Sequence, residues 1–298
     1  MEAINSDDIH PATSSEGETF IQMNTSITAQ TDPTKSDSRY VRDFEVVEYI
    51  GTGDTGSVTL CRHRLDGCFY AVKQSSKPVR GSYMEKRALR EVWAHAILGR
   101  HRRIVRYFSA WAEGQRMFIQ NEFCAGGSLD KLITELKLHN QRLPESAIKR
   151  IILHVAQGLK YIHSLKAAHM DIKPENIFLT KKIDVMDMNS SMFSNSTFLE
   201  SSFDDGFCGD REGTFDEDEC DDYELLKDCV NFKIGDFGLV VKLVRDQDDP
   251  EPEEGDCRYL APELLNDALR HDYTKCDIFS LGLTIIETVR VDDLSLSL

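Results

Sequence analysis

Gly51-x-Gly53-x-x-Gly56-x-Val58 lies between two short runs with strand character, and five further signals follow it in order. They are Ala71-Val72-Lys73, Glu91, His169-x-Asp171 with Asn176, Asp236-Phe237-Gly238, and Ala261-Pro262-Glu263. Each alone is weak evidence. Three glycines mark many turns, a lone lysine usually sits at a surface, and Asp-Phe-Gly occurs by chance. The order is what constrains the chain, because strands come first and helices later, which gives an α+β fold of two lobes.

The periodicities fill in that outline. Phe44–Val47 reads as a strand entering the glycine turn, and Thr59–His63 and Phe69–Lys73 read as the next two, joined at Leu65-Asp66-Gly67. Met84–Leu98 places apolar residues at 84, 88, 89, 92, 93, 96 and 97, which is helical spacing. Val105–Glu113 and Arg116–Phe123 form a strand pair turning at Gly114. Ser128 is a good N-cap for a helix from Leu129. Pro144 opens a longer helix with Ile148, Ile151, Ile152, Val155, Leu159 and Ile162 on one face.

Composition matters chiefly through its unevenness. The 298 residues are 41% hydrophobic and 29% charged, ordinary for a globular chain. Of the net charge of −16, residues 184–228 carry −13 (15 acids, 2 bases), which leaves −3 elsewhere. That balance argues against nucleic acid or an anionic membrane surface as a partner. The eight cysteines include no Cys-x-x-Cys pair, so reduced thiols are expected rather than zinc or a disulfide framework. The N-terminus lacks the basic and apolar regions of a signal peptide, and no run approaches the ~18 apolar residues of a membrane span. A soluble intracellular protein is expected. Residues 1–42 read as a disordered tail, 43–125 as the first lobe and 126–298 as an incomplete second lobe, with an acidic disordered insertion at about 183–228.

The motifs point to phosphate chemistry. Glycines let backbone amides approach phosphates that side chains would block. Ile50, Gly51, Thr52, Gly53, Asp54, Thr55, Gly56, Ser57, Val58 and Ala71 would then cradle a nucleotide, and Lys73 would neutralise its α- and β-phosphates. Glu91 is the expected partner of Lys73, on the inward stripe Ala88, Glu91, Val92, His95, with Glu85 as its rival. Asp171 is spaced to orient an attacking hydroxyl and take its proton, Lys173 to hold phosphoryl charge, and Asn176 and Asp236 to ligate magnesium. The set and its order are those of a protein kinase using ATP and Mg2+. Met170 stands where many kinases carry an arginine that pairs with a phosphate. Phe237–Pro262 contains no Ser or Thr, and Tyr259 is its only side-chain hydroxyl, so no activating phosphorylation is expected there.

From Ser38-Arg39-Tyr40 to about Glu287 the chain resembles the Wee family, the inhibitory kinases of the cell cycle. The most specific stretches are Leu65–Cys68, Ala88–Ala96, Arg106–Trp111, Ile119–Glu122, His169–Pro174 and Glu254-Gly255-Asp256. The resemblance implies that Asn121 is a polar gatekeeper and that Glu122 to Cys124 form the hinge holding adenine. It implies transfer to a tyrosine in the glycine loop of a mitotic cyclin-dependent kinase, with the cyclin-bound complex as partner substrate, delayed mitosis, and a nuclear location with the cytoplasm second. Lys173 by itself resembles serine/threonine kinases, so tyrosine preference comes only from the family likeness. Phe237 and Pro262 depart from it, since the family often has Leu and Asn there. That leaves room for the membrane-associated dual-specificity branch and for the kinases of a translation initiation factor.

Residues 277–289 are apolar around the whole helix circumference, which calls for burial on every side, yet only nine residues follow Val289, so an uncovered apolar face is expected. The family packs three further helices at this point and pairs an arginine with the glutamate matching Glu263. The expectation is a C-terminally truncated domain in which a buried Glu263 lacks its partner and Asp277 braces the catalytic loop. A truncated, non-catalytic binding module is the competing class of function.

Overall fold

The computed structural model of the protein describes residues 38–53, 56–76, 78, 83–183, 185, 230–244, 252–265 and 272–289. The chain starts with a one-turn helix α1 (Arg39–Asp43), followed by strands β1 (Phe44–Gly53), β2 (Gly56–His63) and β3 (Phe69–Ser75). Helix α2 (Tyr83–Leu98) and strands β4 (Tyr107–Glu113) and β5 (Arg116–Glu122) complete the first lobe. Its five strands are antiparallel in the order β1-β2-β3-β5-β4. The second lobe is mainly helical, with α3 (Leu129–Leu138), α4 (Glu145–Ser164) and α5 (Tyr273–Val289). Its short strands β6 (Gly127–Ser128), β7 (Ala167–Ala168), β8 (Ile177–Leu179), β9 (Phe232–Ile234) and β10 (Val241–Lys242) pair in the orders β6-β8-β9 and β7-β10. The α+β, two-lobed expectation holds.

Strand alternation decides which side chains reach the cleft. Tyr70 and Val72 of β3 bury with Phe44, Cys61 and Phe118 on the outer face of the sheet. Ala71 and Lys73 therefore face the other way, opposite Leu60 and Val58 on β2 and Asn121 and Ile119 on β5. The second core gathers under α4, where Ala147, Ile151, Val155, Leu159 and Ile162 are buried with Ile172, Ile177, Phe232 and Ile234. Ser128 caps α3 as expected, its side chain accepting from the Lys131 N–H.

Four readings change. Residues 38–42, expected in the N-terminal tail, are part of the first lobe. Ser38 caps α1, donates its hydroxyl to Glu113, and Arg39 lies 4.3 Å from the centre of the Trp111 ring. On α2 the buried stripe is Glu91, Ala94, His95 and Leu98, while Leu89 is exposed, because Glu91 pairs with Lys73 and the His95 ring packs between Tyr107 and Phe237. On α4 the buried face is turned toward Ala147 and His154, which leaves Ile152 outside.

The expected insertion at 183–228 begins with two buried residues, Ile183 and Val185, and the rest of it lies outside the described residues. Helix α5 leaves an apolar face uncovered, as expected. Cys276, Asp277, Leu281, Thr284 and Thr288 face inward, while Ile278, Phe279, Ile286 and Val289 are exposed, since no described element covers that face. Glu263 is only half-buried and accepts a hydrogen bond from the Cys276 thiol at 3.7 Å.

Candidate active site

Lys73 is the hub of the cleft. Its ammonium donates to Glu91 Oε1 and Oε2 at 2.9 and 3.0 Å, and to Asp236 Oδ1 at 3.2 Å. Glu91 is the carboxylate that meets it, and it is 4% exposed on α2. A buried carboxylate needs such a cation. Burial alone would lower the Lys73 ammonium's pKa, but the two carboxylates hold it above the ordinary lysine range. For Asp236, burial pulls upward and the charge and hydrogen bond of Lys73, with the Gly238 N–H, pull harder downward, to about 2. Asp236 stays ionised, with its side chain 39% exposed to the cleft.

The catalytic loop hangs from one buried acid. Asp277 of α5 accepts the His169 N–H at 2.9 Å, the Met170 N–H at 2.8 Å, and bonds His163 Nε2 at 2.8 Å. Those bonds hold Met170 in the left-handed region at φ 68°, which turns Asp171 toward the cleft. Asp171 Oδ2 accepts from Asn176 Nδ2 at 2.8 Å and lies 3.0 Å from Lys173 Nζ. Its Oδ1 accepts the Asp256 N–H at 3.2 Å. The β8–β9 pairing sets Ile177 opposite Ile234, and the Gly235 N–H donates to the Asn176 carbonyl at 2.9 Å. Asn176 and Asp236 thus border the same hairpin.

Two of the three loop glycines differ from the third in what requires them. A Cβ at Gly51 or Gly53 would meet nothing within 4 Å, so protein packing does not demand glycine there. At Gly56 a Cβ would stand 2.0 Å from the Gln74 carbonyl oxygen, so the β2–β3 pairing excludes any other residue. Val58 pairs with Gly51 and with Lys73, and Ser57 with Thr52 and Gln74. The Ile50 carbonyl accepts from Lys131 Nζ at 3.0 Å, which ties the loop strand to α3 across the cleft. Asp54 and Thr55 lie outside the described residues.

At the back, Asn121 sits opposite Ala71 with its buried Oδ1 unpaired. The Glu122 carboxylate is committed to Lys233 at 2.6 and 2.7 Å, so any role in holding adenine falls to its backbone. Burial, with Glu122 nearby, pushes the Cys124 thiol up to about 12 and keeps it neutral.

An adenine nucleotide with magnesium fits this set. Asn121 offers an orphaned acceptor, Gly51 and Gly53 leave open space for phosphates, and Asp236 and Asn176 supply hard oxygen donors of the kind magnesium takes.

Sequence reasoning missed a column of rings behind the site. His95 stacks on Tyr107 at 4.9 Å and meets the edge of Phe237 at 5.0 Å, and Phe237 meets His169 at 5.4 Å. The signal available was His95 one turn after Glu91, on the same helix face. Arg258, which bonds Asp256 at 2.7 Å and Glu175 at 2.9 Å, was also missed.

The protein kinase domain family matches residues 44–209 and 224–294, and the chain belongs to that family. Its branch within the family is the Wee type. A Wee1-like protein kinase of Drosophila melanogaster is 45% identical over 253 residues, covering 84% of this chain and 37% of the relative. Wee1-like protein kinase 2 of Xenopus tropicalis is 46% identical over 248 residues (83% and 38%), and that of Gallus gallus 44% over 248 (83% and 38%). The chain spans less than two fifths of the length of these relatives. Among the described residues, no helix is long and apolar enough to cross a membrane.

Proposed function

We propose that the chain is the phosphate-transferring core of a Wee-type kinase, which moves the γ-phosphate of ATP to a tyrosine of a cyclin-bound, mitotic cyclin-dependent kinase and so delays mitosis. The observation that carries the reading is the double anchoring of Lys73 on Glu91 and Asp236 beside an Asp171 held on both oxygens. Family membership implies ATP as phosphate donor, and substrate and outcome rest on the likeness to Wee1-like kinases.

The geometry supports a role for each residue. Magnesium-bound ATP, when present, supplies the phosphoryl group and neutralises its oxygens. Lys73, kept charged by its two acids, binds the α- and β-phosphates. Asp236 and the Oδ1 of Asn176 would hold the metal. Asn176 and Lys173 occupy Asp171 Oδ2, and the Asp256 N–H takes one lone pair of Oδ1. The remaining lone pair of Oδ1 accepts the proton of the incoming hydroxyl. Lys173 stands beside it as the nearest cation for charge developing on the transferred group.

The second reading is a non-catalytic binding module, favoured by the apolar residues that α5 exposes. Transfer of labelled phosphate from magnesium-ATP to cyclin-bound kinase by residues 1–298, with Asp171→Asn as control, separates the two. Transfer abolished in the control supports the enzyme. Its absence from folded, monomeric protein supports the module.

A further inference from the structure

Arg90 and Glu91 are neighbours on α2 but serve different contacts. Glu91 holds Lys73, whereas Arg90 Nη1 donates to Glu253 Oε1 at 2.8 Å. The two side chains of this second pair are 12% and 19% exposed, so water screens it only partly. Two residues beyond Glu253, Gly255 lies against the catalytic loop so closely that a Cβ would be 2.5 Å from the Met170 carbonyl oxygen and 3.0 Å from Asp171 Oδ1. That approach is what lets the Asp256 N–H reach Asp171. Four residues, Glu253 to Asp256, therefore join α2 to the proton-accepting carboxylate.

The same segment has little means of being switched. Phe237–Pro262 holds no Ser or Thr, and its one side-chain hydroxyl, on Tyr259, is buried and donated to Glu287. Met170 supplies no cation to receive a phosphate. A glutamate of fixed charge instead sits on Arg90.

We propose that Glu253 is a positioning residue. Its carboxylate anchors α2 through Arg90 so that Glu91 keeps Lys73 in place, and it seats Gly255-Asp256 against Asp171. The site is thereby assembled without phosphorylation of the segment. This rests on the kinase reading above.

The test compares Glu253→Gln, Arg90→Gln and the charge-reversed pair Arg90→Glu/Glu253→Arg with the unsubstituted chain, and uses Glu254→Gln, at an exposed position, as control. kcat, KM for ATP, Mg-ADP affinity by calorimetry and Tm are measured for each. Each single substitution is expected to lower kcat about tenfold and to weaken Mg-ADP binding several-fold, and the reversed pair to recover most of both. Glu254→Gln and phosphatase treatment should change neither.

Single variants matching the unsubstituted chain, a reversed pair no better than either single, or activity lost to phosphatase would each overturn the proposal. A lowered Tm with kcat and Mg-ADP affinity intact would make Glu253 merely structural and overturn it as well. Failure of the unsubstituted chain to transfer phosphate counts against the kinase reading instead, and Mg-ADP binding still tests the pair.

Discussion

His95 is an ionisable group enclosed by rings, and its surroundings set a sign and a size for acid sensitivity. It is 3% exposed, stacked on Tyr107 and set against Phe237, and its Nε2 has no hydrogen-bond partner. Burial, reinforced by the Lys73 charge and only partly opposed by Asp236, lowers its pKa from 6.5 to about 4. Above pH 6.5 the ring is neutral in both folded and unfolded chains and adds no pH dependence. Below that, the unfolded chain takes a proton that the folded site refuses, so stability falls as pH drops toward 4. From pH 7 to 5 about 1.5 pH units of that window are crossed, or roughly 2 kcal/mol at 1.36 kcal/mol per unit. Set against a typical total of about 5–15 kcal/mol, this is a large fraction.

The perturbation is His95→Leu, and the assay is urea unfolding at pH 7 and pH 5, followed by the fluorescence of Trp93 and Trp111. The packing lost with the ring is the same at both pH values and cancels in the comparison. The loss of stability between pH 7 and 5 should be roughly 2 kcal/mol smaller in the variant than in the unsubstituted chain. His154, lowered to about 2 by burial and nearby arginines, has the same sign and stays in both proteins. Pairs of curves that shift in parallel, to within about 0.5 kcal/mol, would refute the reasoning.

The geometry sets the outcome of four further substitutions. Gly56→Ala should destabilise the chain by about 1–3 kcal/mol or more through its clash with the Gln74 backbone. Gly51→Ala should leave Tm within about a degree or two and act instead on nucleotide affinity, a contrast that thermal melts with and without Mg-ADP would read. Asp277→Ala strands two buried N–H groups, at about 1–3 kcal/mol each, and should lower both Tm and kcat. Lys73→Met removes the cation that holds the Asp236 carboxyl near 2, so carbon-detected NMR titration should find that carboxyl clearly raised.

The motifs were legible because their chemistry is local or set by register. Lys73 faces the cleft by strand alternation from Val72, and Glu91 was readable as the inward acid of α2. What stayed hidden depends on partners far along the chain. The exact buried stripe of α2 could not be read because half of it is polar, and although His95 was read as inward, the Tyr107 and Phe237 rings that enclose it were not. The place of Ser38 in the fold depends on Glu113, seventy-five residues away. The acids of the segment before Ala261 were visible as a run, but nothing local tells that Glu253 is the one that meets Arg90. The apolar circumference of α5 was legible as composition, and the uncovered face it implied is the one that bears Ile278, Phe279, Ile286 and Val289.

The central claim is tested most directly by identifying the acceptor residue. Cyclin-bound mitotic kinase incubated with the chain and magnesium-ATP should carry new phosphate on a tyrosine of its glycine loop, located by mass spectrometry and absent with Asp171→Asn. Phosphate confined to serine or threonine, or equal phosphate with the Asp171→Asn chain, would contradict it.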